Sequence, residues 1–435
     1  MRVAILGFGR EGKSLLKFLK KSLPAGRQVL KFKNAKISIL DQKFDKNYLK
    51  NLSRFDIIFR SPGLPYTLPK LYRARSSGVE VSSATKLFFS LAHPYRKKLI
   101  GITGTKGKGT TSTLLTQILR NCGRKVILAG NIGKPMLDIL PDIKKADYVI
   151  LELSSFQIQD LPQSPHIAVV LDVFPDHLDE HKTLREYYES KVNIGRFQRK
   201  SDAIFYFANN PLTKKIALKS PAKKFPVYPK ENTPKKNYGM AAAVARYLKC
   251  SESAIQKAIK NFRGLEHRLE LVKTISIRQK SYANVLKNIR MDFVNDSAAT
   301  NPGATAAAIY TFKEPLILIA GGRSKIHDFS PMTKAIKEAK NLQMVILFGE
   351  NKREIRDAIR KEFNKSKRTT AAPHIVLKPN LKSALELAYR FARPLVASGY
   401  WSNTVVLFSP ASASFDQFKN YADRGKTFKK FVRML

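Results

Sequence analysis

Short apolar runs alternate with segments of helical periodicity along most of the chain. The runs occupy residues 3–6, 37–40, 56–59, 98–100, 148–151, 167–171, 291–294, 316–320, 344–348 and 404–408. Between them, apolar residues recur at helical spacing, as at Leu115, Ile118 and Leu119. This alternation predicts α/β domains with parallel sheets, whose ligand-binding loops follow the strands at one sheet edge.

The 435 residues are enough for two to four domains, each with its own core. We predict three α/β domains that face a shared cleft. They are a Rossmann-like domain at 1–95, a central mononucleotide-binding domain at 96–265 and a C-terminal Rossmann-like domain at 266–435.

A phosphate-binding loop is the strongest local signal. Residues 101–115 read GITGTKGKGTTSTLL, a glycine-rich turn between a predicted strand and a predicted helix. The glycines let the backbone approach a phosphate chain, the helix start offers free N–H groups, and Lys108 adds a positive charge. Ile102 and Gly109 depart from the general pattern, so Thr110 must supply the magnesium-binding hydroxyl. A nucleoside triphosphate is the expected ligand, and a glycine-rich turn with solvated lysines is the alternative.

A second glycine-rich turn opens the chain. Residues 7–12 read GFGREG, the G-x-G-x-x-G pattern of a Rossmann unit, and Asp41 ends the next run, where it can accept a hydrogen bond from a ribose or base. The turn at 61–63 contains Gly63, where backbone can approach a ligand. A dinucleotide-dependent dehydrogenase domain is the alternative, weakened by the better phosphate loop at 101.

Candidate metal ligands follow two of the central runs. Glu152 ends the run at 148–151, a usual place for a magnesium ligand beside a phosphate loop. His177 and His181 are four residues apart and could bind zinc, but magnesium held near the triphosphate is the preferred interpretation for His177. From its helical spacing alone, Lys191 predicts only a solvated lysine.

The last third offers further ligand-binding side chains. Arg268 lies in a loop from which it can reach a transferring phosphate. Asp296 follows a predicted strand and can bind ribose hydroxyls. The loops at 321–325 and 409–421 follow later strands and should lie at the same sheet edge.

The chain is strongly basic. The chain has 79 lysines and arginines against 33 acidic residues, a net charge of +46, which favours polyanions. The charge is spread along the chain, so we interpret it as surface composition and expect no specific nucleic-acid partner.

Cys122 and Cys250 predict neither a metal site nor a disulfide framework, which indicates a reducing cytoplasm. No apolar run has membrane-spanning length.

Taken together, the motifs resemble the Mur ligases from end to end, most closely the members that add D-glutamate to UDP-N-acetylmuramoyl-L-alanine. The resemblance rests on the segments 61–63, 104–108, 130–133, 152–157, 176–179, 188–191, 267–268, 295–302 and 409–420. It implies a cytoplasmic, monomeric enzyme of peptidoglycan biosynthesis that uses ATP and two Mg²⁺ ions. The substrate carboxylate would attack the γ-phosphate, and the amine of D-glutamate would then attack the acyl phosphate to form the amide.

The resemblance also implies roles for individual residues. The ATP site would comprise Gly104, Thr105, Lys106, Gly107, Lys108, Gly109, Thr110, Thr111, Asn237, Arg268 and Asp296. The UDP-substrate site would comprise Gly9, Arg10, Glu11, Asp41, Gly63 and Asn131, and the D-glutamate pocket Thr300, Lys325, Ser414, Phe415 and Tyr421. The catalytic residues would be Lys108, Glu152, His177 and Lys191, and the metal ligands Thr110, Glu152, His177 and Lys191. Lys191 would be carbamylated, which requires the neutral amine that burial can supply.

Departures from the family leave alternatives open. Ala298 replaces the lysine of the Asp-Ser-Lys-Ala-Thr motif, and Met240 replaces a second asparagine three residues after Asn237. The Gly-Lys-Gly-Thr order around Lys108 is also typical of folylpolyglutamate synthases, which lack the domain before residue 101. Another Mur ligase, a folylpolyglutamate synthase-like ligase, and a nucleotide- or nucleic-acid-binding protein without ligase activity are therefore the alternatives.

Overall fold

The computed structural model describes residues 1–20, 32, 34–174, 183–229, 236–262, 264–280, 286–324, 327–364, 373–397 and 403–435. The chain divides into two compact units, Met1–Phe262 and Arg263–Leu435. The first unit contains two sheets and the second unit one.

The first sheet is parallel, in the order β2-β1-β3-β4. Its strands are β1 (Arg2–Leu6), β2 (Lys36–Leu40), β3 (Ile57–Arg60) and β4 (Glu80–Ser82). Its helices are α1 (Arg10–Lys20), α2 (Pro69–Ser76) and α3 (Ala84–Leu91), with 3₁₀ turns at Leu52–Arg54 and His93–Lys98. The apolar run of β1 is buried on both faces, as a parallel strand covered by helices requires.

The second sheet is also parallel, in the order β10-β9-β8-β5-β7-β6. Its strands are β5 (Leu99–Thr103), β6 (Val126–Gly130), β7 (Tyr148–Glu152), β8 (Ile167–Val170), β9 (Ala203–Phe207) and β10 (Lys223–Val227). Its helices are α4 (Lys108–Asn121), α5 (Ser155–Ile158), α6 (Leu184–Arg196), α7 (Pro211–Leu218), α8 (Lys236–Tyr247) and α9 (Glu252–Asn261), with a 3₁₀ segment at Met136–Lys145. One core cluster includes Val3 and Phe59 from the first sheet and Leu151 from the second, so the two sheets share buried apolar surface.

The third sheet has the order β11-β12-β16-β13-β14-β15. Its strands are β11 (Glu270–Lys280), β12 (Leu286–Asn295), β13 (Leu316–Gly321), β14 (Leu342–Phe348), β15 (His374–Leu377) and β16 (Asn403–Phe408). Its helices are α10 (Pro302–Ile309), α11 (Ser330–Glu338), α12 (Lys352–Asn364), α13 (Leu381–Ala397) and α14 (Tyr421–Arg433). β11 pairs antiparallel with β12, and the other strand pairs are parallel. The predicted fold class, with three α/β sheets along the chain, is confirmed.

The cysteine prediction is wrong. Cys122 and Cys250 form a disulfide, with Cα atoms 5.7 Å apart. Cys122 directly follows α4 and Cys250 lies between α8 and α9, and these helices pack in one core cluster. Sequence spacing could not reveal this approach because 128 positions separate the two residues. The two cysteines therefore do not indicate a reducing compartment.

Within the residues that the structure describes, every helix is too short or too polar to cross a bilayer.

A buried ionic cluster predicts how acid affects stability. The Asp202 side chain is 1% exposed and accepts from both Arg96 Nη atoms at 2.8–2.9 Å, and its Oδ1 lies 2.6 Å from His166 Nδ1. Burial alone would raise the pKa of Asp202, but hydrogen bonds from the Arg199 N–H, His166 and Arg96 lower it overall. The unfolded carboxyl titrates near about pH 3.9, so this stabilisation is present above that pH and is lost as pH falls through the lower folded pKa.

We therefore expect Asp202→Asn to lower the free energy of unfolding at pH 7 by about 3–5 kcal/mol, because Arg96 loses its buried partner. Urea unfolding at pH 7 and at successively lower pH measures this difference, which should shrink in acid. Asp142→Asn, at an exposed position, is the control and should have little effect. A difference that stays constant down to the lowest pH would contradict the prediction.

Candidate functional site

The phosphate loop connects β5 to α4 in the first unit. Gly104 and Gly107 have φ of +152° and +86°, values that favour glycine, and α4 begins at Lys108. The Lys108 ammonium donates to the carbonyls of Gly104 at 2.9 Å and Thr105 at 3.0 Å. The turn thus gathers a cation at the start of a helix whose first N–H groups lack helical partners, which makes it an anion-binding site.

Asn237, which is predicted to bind the nucleotide, lies against this loop. It is buried in the first turn of α8, and a Cβ on Gly107 would lie less than 3.0 Å from its side-chain amide. Met240, three residues further on, is fully buried in the core cluster between α8 and the sheet. At the position where the family has a second asparagine, this chain therefore has a residue that packs in the core.

Lys191 lies beside the same turn and is not the solvated lysine that its spacing predicts. Its side chain on α6 is buried, with 1% of the residue exposed, and its Nζ is 3.2 Å from the Gly104 carbonyl oxygen. The ammonium also lies 4.5 Å from the ring centre of Tyr187, whose hydroxyl is 2.8 Å from Thr105 Oγ1. Because Lys108 and Lys191 both donate to Gly104, two amines converge on one point of the loop.

Glu152 ends β7 next to β5, where it pairs in register with Ile102, two residues before Gly104. The residue is 4% exposed, and its Oε1 accepts from Asn131 Nδ2 at 3.2 Å. Within the described part of the chain, its Oε2 is buried without a hydrogen-bond partner. An orphaned carboxylate oxygen beside a phosphate loop fits a magnesium ligand.

The predicted metal ligands other than Glu152 and Lys191 are less buried or lie outside the described residues. Thr110 lies in the first turn of α4 and is half-buried. Its neighbour Thr111 is fully buried, and its Oγ1 has no hydrogen-bond partner among the described residues. His177 and His181 lie outside the described residues. Among those that are described, His, Cys, Asp and Glu side chains form no group of three or more that could hold a metal.

Besides Asn131, three residues predicted to bind the UDP substrate make internal contacts. Asp41 accepts from the backbone N–H of Lys43 at 2.9 Å and of Phe8 at 2.6 Å, and these bonds lower its pKa. The Arg10 guanidinium donates to carbonyls of the loop at 130–133, and Glu11 accepts from Gln157. Gly9 and Gly63 have open space where a side chain would be.

In the second unit, Asp296 organises the loop that carries Arg268. Its Oδ1 accepts from the Leu269 N–H at 3.2 Å and its Oδ2 from Ser409 Oγ at 2.8 Å. The loop backbone is left-handed at His267 and Leu269, and the buried His267 lies 2.9 Å from Asn295 through its Nδ1. Arg268 between them is exposed. The arrangement holds a guanidinium outward from a fixed loop.

The predicted amino-acid pocket is described except for Lys325, which lies outside the described residues. Thr300 is half-buried at the end of the turn that follows β12. After β16, Ser414 is buried, whereas Phe415 and Tyr421 are exposed by 53% and 46%.

The structure also reveals two charged residues with internal contacts that the sequence did not predict. Asp172 accepts from Asn210, forms an ion pair with Lys236 and accepts the Thr105 N–H through its carbonyl at 2.7 Å. Arg424 on α14 is fully buried and donates to Ser297 and Ser412, and burial lowers its pKa to about 10. A single aspartate after a strand and a single arginine in an amphipathic helix carry no local signal that could have identified them.

Two segments of the chain match known protein families. Residues 102–272 match the Mur ligase middle domain, and residues 283–411 match the Mur ligase glutamate ligase domain. Together they account for more than half of the chain.

A relative and two solved structures extend the comparison. A UDP-N-acetylmuramoylalanine--D-glutamate ligase from Acetivibrio thermocellus is 33% identical, covering 100% of this chain and 96% of its own length. The MurF ligase of Thermotoga maritima has a similar fold, with a TM-score of 0.57, 16% identity and coverage of 99% and 95%. A folylpolyglutamate synthase from Mycobacterium tuberculosis has a TM-score of 0.55 and 11% identity, and covers 80% of this chain and 94% of its own.

The resemblance that the motifs predict is thus confirmed over the full length of the chain. The chain belongs to the Mur ligase family.

Proposed function

We propose that this protein is an ATP-dependent ligase that joins D-glutamate to UDP-N-acetylmuramoyl-L-alanine in peptidoglycan precursor synthesis. The observation that carries the proposal is the convergence of Lys108, Lys191 and the Glu152 strand end on the turn at Gly104. The full-length relative has this activity in its name. The first sheet, which the folylpolyglutamate synthases lack, favours the UDP-linked substrate over a folate.

The reaction has two bond-forming steps. A carboxylate oxygen of the muramoyl-L-alanine substrate attacks the γ-phosphorus of ATP, and ADP leaves. The amine nitrogen of D-glutamate then attacks the acyl carbon, loses a proton and expels phosphate, which leaves an amide. Lys108 and the N–H groups at the start of α4 hold the phosphates and stabilise the charge that develops on them.

The buried Glu152 Oε2, which has no hydrogen-bond partner among the described residues, supports magnesium binding. Thr110 and Glu152 would hold one ion, and His177 with a carbamylated Lys191 would hold a second. When bound, Mg²⁺ neutralises phosphate charge and polarises the phosphoryl group. The burial of Lys191 supports carbamylation, because desolvation favours the neutral amine that reacts with carbon dioxide.

The resemblance assigns further ligand contacts to other residues of the chain. Arg268 and Asp296 bind the nucleotide, and Thr300, Lys325, Ser414, Phe415 and Tyr421 line the D-glutamate pocket. As the resemblance implies, the enzyme acts as a monomer. The reaction takes place in the cytoplasm, where ATP and nucleotide-linked sugars are available.

Phosphate release tests the proposal. The purified protein is given ATP, Mg²⁺ and UDP-N-acetylmuramoyl-L-alanine with D-glutamate, L-glutamate or L-lysine, and separately ATP with dihydropteroate and L-glutamate. We expect release above background only with D-glutamate. Release only with the pteroate pair would establish the folate alternative, and release only with L-lysine another Mur ligase. Salt-sensitive DNA binding without any turnover would support a non-catalytic protein.

A further inference from the structure

Arg10 makes its contacts away from its own sheet. It is the first residue of α1, directly after the glycine turn of the first sheet. Its guanidinium donates to the carbonyls of Gly130 and Gly133, at 3.3 Å to Gly133. These two carbonyls flank Asn131, whose side chain donates to Glu152 Oε1 and whose backbone N–H donates to the Glu152 carbonyl at 2.9 Å. Arg10 therefore fixes the loop that contacts Glu152 from one side.

Glu11, the next residue, holds the turn on the other side of Glu152. Its Oε1 accepts from Gln157 Nε2 at 2.5 Å. Through its Oε1, Gln157 accepts from the N–H and hydroxyl of Ser154 and closes the capping box of α5, which starts three residues after Glu152. Among the described residues, Glu11 Oε2 is buried without a partner, and burial raises the Glu11 pKa.

A further hydrogen bond joins α1 to the segments around Glu152. Ser14 Oγ, one turn along α1, donates to Asp138 Oδ1 at 2.7 Å in the 3₁₀ segment that follows the loop at 130–133. The start of α1 is thus bonded to the segments before and after β7. Hydrogen bonds that orient a metal ligand control the affinity of its site as well as its geometry.

We infer that Arg10 and Glu11 are positioning residues for the magnesium site at Glu152, so that the glycine turn of the first sheet and the metal site of the second are mechanically joined. This inference rests on the proposed function, in which Glu152 binds Mg²⁺. It differs from the direct contact with the UDP substrate that the sequence predicts for both residues. A substrate bound at the turn at 7–12 would therefore contact the backbone next to Arg10 and Glu11, the residues that fix the orientation of the Glu152 carboxylate.

Manganese binding in the absence of the UDP substrate tests the inference. Electron paramagnetic resonance measures Mn²⁺ binding to the full chain in the presence of ADP, for the wild type and for Arg10→Met, Arg10→Lys and Glu11→Ala. We expect Arg10→Met and Glu11→Ala to weaken Mn²⁺ binding by about 10- to 100-fold, and Arg10→Lys to recover part of the loss. Lys13→Met, at an exposed position on the same helix, is the matched control and should bind as the wild type does.

The outcomes separate the possibilities. Unchanged Mn²⁺ affinity in Arg10→Met, together with a raised KM for the UDP substrate, would overturn the positioning role in favour of direct substrate contact. A wild type that binds no Mn²⁺ with ADP would overturn the proposed function itself and the inference with it. Thermal unfolding identifies any variant that does not fold, in which case Arg10→Lys, which keeps the positive charge and one donor nitrogen, decides the question.

Discussion

Lys191→Ala is expected to lower kcat by about 10²- to 10³-fold, the range seen when a group that stabilises developing charge is removed. The lysine is buried beside the phosphate loop, and its Nζ lies 3.2 Å from the Gly104 carbonyl oxygen. In the proposed reaction its carbamate carries the negative charge that holds a magnesium ion. Phosphate release under saturating substrates measures the loss.

Added short carboxylates, such as formate or acetate, should restore part of the activity of Lys191→Ala, because they can occupy the space and supply the missing charge. Lys214→Ala, at an exposed position on α7, is the control and should be as active as the wild type. Full activity of Lys191→Ala without any added carboxylate would refute the carbamate. Loss without rescue, with unchanged thermal unfolding, would leave Lys191 a role as a cation only.

Gly107→Ala is expected to weaken nucleotide binding by about 10- to 100-fold, because about 1–3 kcal/mol of strain would fall on the loop that holds the phosphates. At φ +86° an alanine is strained, and its Cβ would lie less than 3.0 Å from the side-chain amide of Asn237. Isothermal titration with ADP and Mg²⁺ measures the affinity.

Two further variants separate the causes of that loss. Gly239→Ala, on α8 two residues after Asn237, has no atom within 4 Å of the new Cβ and should bind nucleotide normally. Because Asn237 is itself predicted to bind the nucleotide, Asn237→Ala is measured alone and together with Gly107→Ala, and the difference between the two affinities gives the effect of backbone strain without the collision. Gly107→Ala with wild-type affinity would show that the loop tolerates a side chain and would contradict the prediction.

The sequence predicts the phosphate loop well because its signal is local. Glycines at fixed spacing, a lysine and the start of an amphipathic helix all fall within 15 residues, and the backbone has few ways to accommodate them. Glu152 is predicted for a related reason, since residues after parallel strands collect at one sheet edge. The sequence did not predict that β7 pairs with β5, because short apolar runs indicate strands but not their order in the sheet.

Tertiary contacts account for what the sequence could not predict. Lys191 has the spacing of any surface lysine, and only the packing of α6 against the loop buries it. Arg10 forms hydrogen bonds with carbonyls more than 100 positions away, and Cys122 meets Cys250 across 128 positions. Such pairs leave no periodicity in the sequence. The predicted boundary between the first and central domains, at residues 95 and 96, stays a prediction.

The core shared by the first two sheets affects how the chain can be divided. Val3 and Phe59 belong to the same apolar cluster as Leu151, so a fragment that starts near residue 96 would expose apolar surface that is normally covered. Such a fragment would tend to aggregate, and grafting the first sheet onto a distant homologue would require redesign of the adjoining interior. The first sheet should therefore be expressed and engineered together with the second sheet as one folded piece.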